Sequence, residues 1–127
     1  MLNVVTLIGR LTADPDLRYS PEGVARARFT LAVDRPHAKD GQQQTDFVDI
    51  VAWRRLAEVV AEYTRKGSLV AVQGRLQIRS YEDRDGNRRK AAEVVADEVR
   101  FLDRAKREDS DDYDPFADDG GDSGVPS

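Results

Sequence analysis

Between Ala25 and Val33 apolar and polar side chains alternate without a break. Ala27, Phe29, Leu31 and Val33 fall on one face of an extended strand, and Arg26, Arg28 and Thr30 fall on the other. The same period of two recurs at Thr45–Trp53, where Val48, Ile50 and Ala52 oppose Phe47, Asp49, Val51 and Trp53. It recurs again from Ser68 to Tyr81, where Val70, Val72, Gly74, Leu76 and Ile78 oppose Gln73, Arg75, Gln77, Arg79 and Tyr81. In each case one face is fit for a core; the other is basic on the first of these strands and mixes charge with large rings on the other two. Residues 2–11 are β-branched and aliphatic and stop before Asp14-Pro15, predicting a first strand in which Gly9 marks a bulge or tight barrel bend. Residues 88–102 predict a last strand, strongest at Glu93–Ala96 and Val99–Leu102.

One segment changes period. After Trp53, apolar residues recur at Leu56, Val59, Val60 and Tyr63, the i, i+3, i+4, i+7 spacing of a short amphipathic helix, and Lys66-Gly67 supplies a stop. Tyr19–Gly23 reads as a turn, the polar stretch 34–44 as a long, mobile hairpin loop, and Asp83–Asn87 as a hairpin connection. The predicted order is β-β-β-α-β-β, an all-β fold with one helix. Five strands with a helix between the third and fourth is the order of an OB-fold barrel, whose strand 2–3 face and loops commonly bind oligonucleotides.

Charge divides the chain. Residues 1–107 hold all 20 Lys and Arg with 16 Asp and Glu, a net of +4, while residues 108–127 hold 8 acids and no base. We therefore expect a mildly basic domain over 1–104 and an acidic flexible tail over 105–127, too charged and too poor in apolar residues to order itself. With 127 residues there is room for one core domain of about 100 residues. The absence of cysteine excludes disulfides and thiolate metal sites. Apolar runs fall well short of the roughly 20 residues that span a bilayer, and Met1–Val4 lacks a basic leader, so a cytoplasmic protein without membrane attachment is expected.

Catalysis has little to work with. The single histidine, His37, lies in the long loop, and no nucleophile–base pair, phosphate-cradling glycine loop or metal-ligand cluster is present. A binding protein with no cofactor and no metal is expected. Single-stranded nucleic acid asks for rings that stack on bases and cations that follow phosphates. Phe47, Trp53 and Tyr81 are the stacking candidates; Arg10, Arg26, Arg28, Arg35, Arg54, Arg55, Arg75 and Arg79 are the phosphate candidates.

Met1–Tyr19 resembles the opening of bacterial single-stranded DNA-binding proteins. The likeness continues through Gly23–Ala25, Phe29–Val33, Trp53–Glu58, Tyr63, Lys66–Ser68, Gly74–Leu76, Arg79–Tyr81 and Glu93–Ala96, covering about residues 1–103. The resemblance implies an OB-fold homotetramer that wraps single-stranded DNA without sequence preference in replication, recombination and repair, in the bacterial cytoplasm at the nucleoid. It also implies that the family's stacking positions fall on His37, Phe47, Trp53 and Tyr81; at His37, where many members carry tryptophan, an imidazole stacks over less area. Asp111, Asp112, Asp114, Pro115 and Phe116 resemble the family's acidic, Pro-Phe-terminated element, which docks replication, recombination and repair proteins. Here eleven residues follow Phe116, so its own α-carboxylate is not on offer. The alternative reading is an OB-fold adaptor of the primosome or competence machinery that chiefly holds proteins. An RNA-binding cold-shock domain is disfavoured because such domains are shorter and lack the helix.

Overall fold

The computed structural model describes residues 1–36 and 41–103. Its strands are β1 (Val5–Leu11), β2 (Asp16–Tyr19), β3 (Ala25–Asp34), β4 (Thr45–Trp53), β5 (Leu69–Glu82) and β6 (Arg88–Phe101), with one helix, α1 (Arg54–Tyr63), between β4 and β5. They form one sheet in the order β1-β5-β6-β4-β3-β2, and β1 also pairs with β3, which closes the sheet on itself. This is the OB-fold barrel expected from the alternation, with β2 added. That four-residue strand runs antiparallel to β3, Leu17 opposite Ala27, in a stretch too short to show a period of its own. The turn at 20–24 is made by Ser20 N–H on the Val24 carbonyl at 2.9 Å and Gly23 N–H on the Ser20 carbonyl at 2.8 Å.

The interior comes from the predicted aliphatic faces. Leu31, Ile50, Val60, Val70, Val72, Val94 and Val99 are fully buried, joined by Leu11, Ala27, Phe29, Ala52 and Ala57. Each large aliphatic side chain removed from water contributes roughly 1.5–3 kcal/mol, against about 0–1 kcal/mol for an exposed ion pair. The barrel is therefore held by its interior and not by the many pairs on its surface. The apolar stripe of α1 seals the core through Ala57 and Val60. At the end of α1 the Thr64 hydroxyl and its backbone N–H both donate to the Val60 carbonyl, at 2.7 and 3.0 Å.

Two glycines let the strands close. β1 passes from β5, where Gly9 is opposite Val70, to β3, where Arg10 is opposite Ala32. A Cβ on Gly9 would stand 2.3 Å from the Ala32 carbonyl oxygen, so the bend expected there is a close approach of two backbones. Gly74 answers to a register shift between β5 and β6: Gln73 is opposite Glu98 but Gly74 is opposite Ala96, leaving Asp97 as the extra residue. A Cβ on Gly74 would meet the Val95 carbonyl oxygen at 2.0 Å.

Beyond Gly74 the β5–β6 ribbon leaves the barrel as a long arm. Here the structure departs from the predicted core face, for Leu76 and Ile78 are 41% and 56% exposed in the single chain. The reason is positional: past Gly74, β5 no longer has β1 beside it. Asn3 continues that edge, its side-chain amide donating to the Leu76 carbonyl at 2.8 Å and accepting from the Leu76 N–H at 2.9 Å. The tip turns through Asp83–Asn87, with Gly86 N–H on the Asp83 carbonyl at 3.0 Å.

Candidate nucleic-acid interface

Strand registers turn the wet faces into rows that run across the barrel. Arg10 on β1, Ala32 on β3 and Phe47 on β4 are cross-strand neighbours. Thr30 and Asp49 make the next row, and the Thr30 hydroxyl donates to the Asp49 carboxylate at 3.0 Å. Below it lie Arg28, Val51, Val95 and Arg75, spanning β3, β4, β6 and β5, followed by Arg26 opposite Trp53. Along the arm the same side of the ribbon presents Gln77 opposite Glu93, Arg79 opposite Ala91 and Tyr81 opposite Arg89.

The three rings are on the outside. Phe47 is 67%, Trp53 43% and Tyr81 46% exposed. Six residues of extended strand put Phe47 and Trp53 about 20 Å apart, enough separation for each to meet a different base. Trp53 is the last residue of β4, extended at φ −122°, and Arg54 turns the chain into α1 at φ 60°, in the left-handed region. That sharp junction leaves the indole at the strand's end instead of carrying it into the helix.

Between the rings, Val51 is only 2% exposed although its parity puts it on the wet face. The cause is Arg28. Arg28 Nη1 reaches Glu93 Oε1 at 3.9 Å, a diagonal contact between β3 and β6 across the intervening β4. In that pose Arg28 Nε is buried without a hydrogen-bond partner.

The arginines do not form one uniform set. Arg26, Arg28, Arg75 and Arg79 flank the rings on the sheet, with Arg54 beside Trp53. Arg10 donates to the Gly67 carbonyl at 2.9 Å and lies 3.5 Å from Asp103. Arg35 forks onto Asp46, with contacts of 2.9 to 3.2 Å. This pairing raises the guanidinium above its usual pKa and holds the Asp46 carboxyl below the ordinary carboxylate range. Arg55 belongs to the helix, where it pairs with Glu58 at 3.6 Å, and is not brought into the sheet rows. His37 and the Asp111–Phe116 element lie outside the described residues.

Sequence reading named no residue of β6 for this face. Arg89, opposite Tyr81, and the carboxylates of Glu93 and Asp97 join it only through the shifted register, and the run Val94-Val95-Ala96 hides the alternation that could have assigned them. Among the described residues no group of three or more His, Asp or Glu is placed to hold a metal ion, and no helix is long and apolar enough to cross a membrane.

Comparison with known proteins fixes the lineage of this surface. The model of the Single-strand binding protein family matches residues 2–102. The chain belongs to that family. The family is one of non-enzymatic DNA-binding proteins. Among curated members, the Single-stranded DNA-binding protein of Halalkalibacterium halodurans is 54% identical over 103 residues, 80% of this chain and 61% of that protein. That of Bacillus cereus is 56% identical over 103 residues, with the same coverage. Single-stranded DNA-binding protein 2 of Clostridium acetobutylicum is 54% identical over 106 residues, covering 83% of this chain and 80% of the relative. The matched region thus spans about three fifths of the first two family members and most of the third.

Proposed function

We propose that the chain binds single-stranded DNA without sequence preference, stacking bases on Phe47, Trp53 and Tyr81 while arginines of the same face take phosphates. His37 adds a weaker stacking position in this reading. By favouring unpaired strands the protein coats and protects them during replication, recombination and repair. The observation that carries the proposal is three exposed rings interleaved with arginines on one continuous sheet face, in a member of a family whose curated relatives bear the name single-stranded DNA-binding protein.

Assembly as a homotetramer is supported by apolar surface that one chain leaves in water. Ile8 on β1 and Leu76 and Ile78 on β5 are 55%, 41% and 56% exposed, and Val4 is 57% exposed; exposed aliphatics in such number favour burial between subunits. The acidic element Asp111–Phe116 is proposed to recruit partner proteins through Asp114, Pro115 and Phe116.

Trp53 is the only tryptophan, so its fluorescence reports the site directly. Titration with poly-dT is expected to quench it strongly, and Trp53→Ala to weaken oligo-dT binding by about 5- to 150-fold, the equivalent of 1–3 kcal/mol per stacked base. Solution mass on the same samples is expected at four chain masses. No quenching, with unchanged binding by the variant, rejects the stacking mechanism and favours the protein-holding adaptor.

A further inference from the structure

The arginines of the outer face are the ones proposed to take phosphates, yet most of them already hold a carboxylate. Arg28 reaches Glu93 at 3.9 Å, Arg75 reaches Asp97 at 3.7 Å, and Arg35 is forked onto Asp46 at 2.9 Å. Arg10 and Arg55 are likewise occupied, by Asp103 and Glu58. Among the described residues nothing engages the side chains of Arg26, Arg54 or Arg79. Apart from Arg28–Glu93, in which the Glu93 side chain is only 16% exposed, these are exposed pairs of the kind that adds little to folding. Their placement is what stands out, because Glu93 lies opposite Gln77, one row from Arg28 and Arg75, and Asp97 is the bulge residue within 3.7 Å of Arg75.

The Arg28–Glu93 pair is also incomplete. At 3.9 Å it is a loose contact, and Arg28 Nε is buried and bonded to nothing. A guanidinium is best satisfied by a two-oxygen acceptor in its plane, which a phosphate offers. The free protein thus holds Arg28 against Glu93 with part of its donor capacity unspent.

We propose that Glu93, Asp97 and Asp46 are built-in counterions of the DNA-binding face, holding Arg28, Arg75 and Arg35 until a phosphate displaces them. The inference rests on the single-stranded DNA reading above and concerns what binding releases. When a phosphate takes an unpaired arginine, a cation condensed on the DNA is set free and binding becomes salt-sensitive. When a phosphate takes Arg28, Glu93 is left bare beside it and recruits a cation from solution, so the net release is close to nil. The salt dependence per chain then counts the unpaired guanidiniums, Arg26, Arg54 and Arg79, and not all eight candidates. At about −0.7 per phosphate on single strands, the logarithmic slope is about −2 and not about −5.6. The carboxylates lower affinity in dilute salt and flatten its loss as salt rises.

The test uses the full chain with an oligo-dT of about 8 nucleotides, within the span of one OB-fold, titrated by Trp53 fluorescence between 50 and 200 mM salt. Glu93→Gln and Asp97→Asn are each expected to tighten binding at low salt. Each is also expected to steepen the slope by about 0.7, so that affinity falls about 2.6-fold further across that fourfold salt range. Glu62→Gln, which makes the same charge change on the exposed side of the helix, is expected to leave the slope alone. The proposal is overturned if both sheet variants keep the original slope, if Glu62→Gln steepens it equally, or if the unsubstituted chain already shows a slope near −5.6. Absence of Trp53 quenching in the unsubstituted chain overturns the underlying reading as well, which separates the two failures.

Discussion

Arg54 occupies a backbone position that suits glycine. Its φ of 60° lies in the left-handed region, where a side chain costs of order 1–2 kcal/mol. Replacing it by glycine removes that strain but lets the unfolded chain gain about 0.4–1 kcal/mol of entropy. Arg54→Gly is accordingly expected to stabilise the fold by about 0.5–1 kcal/mol in urea unfolding, while oligo-dT binding weakens as a phosphate contact is lost. Lower stability in the variant would show that the backbone at this junction is not strained. Parity alone assigned the neighbouring Phe47, Asp49 and Trp53 to the wet face, and the structure puts them there. It did not foresee Val51 as buried, because its cross-strand neighbour Arg28 lies on another strand, far away in sequence, and reaches over β4 toward Glu93 on β6.

At the level of elements, β3, β4, β5 and the helix were legible because their apolar periods are clean, whereas the four-residue β2 was too short to show one. The arm was not. Its aliphatic residues Leu76 and Ile78 alternate as a core strand would, and nothing in that pattern says that β1 ends before reaching them. The β6 register was equally hidden, since one extra residue at Asp97 flips the parity of everything beyond it. The arm's tip has its own chemistry. Asp83 accepts from Arg89 Nε at 2.8 Å and from the backbone N–H groups of Asn87 and Asp85 at 2.9 and 3.0 Å. These bonds, Arg89 first, hold its carboxyl below the ordinary carboxylate range. A depressed folded pKa stabilises the tip above the unfolded value of about 3.9, and the benefit is lost as pH falls through the folded value. Amide resonances of Asp85 and Asn87 are therefore expected to stay unchanged down to about pH 4 and to shift below it. A transition centred above that pH contradicts the assigned bonds.

For the molecule as a whole, the formal charge of −4 conceals a basic body and an acidic tail. If the tail element is a docking signal that wants a terminal carboxylate, removing residues 117–127 is expected to tighten binding to replication and repair proteins by ending the chain at Phe116. Unchanged affinity, read by calorimetry against such a partner, counts against that role. The closed sheet has a temporal consequence too. Val5 is paired with Gly74 and Arg10 with Leu69, so the first strand has no β5 to pair with until more than half the chain exists. At 5–20 residues per second on the ribosome, Val5 waits about 3–14 s for its partner. Throughout that interval an aliphatic strand edge stands open, and the newborn chain is at its most vulnerable to sticking to its neighbours.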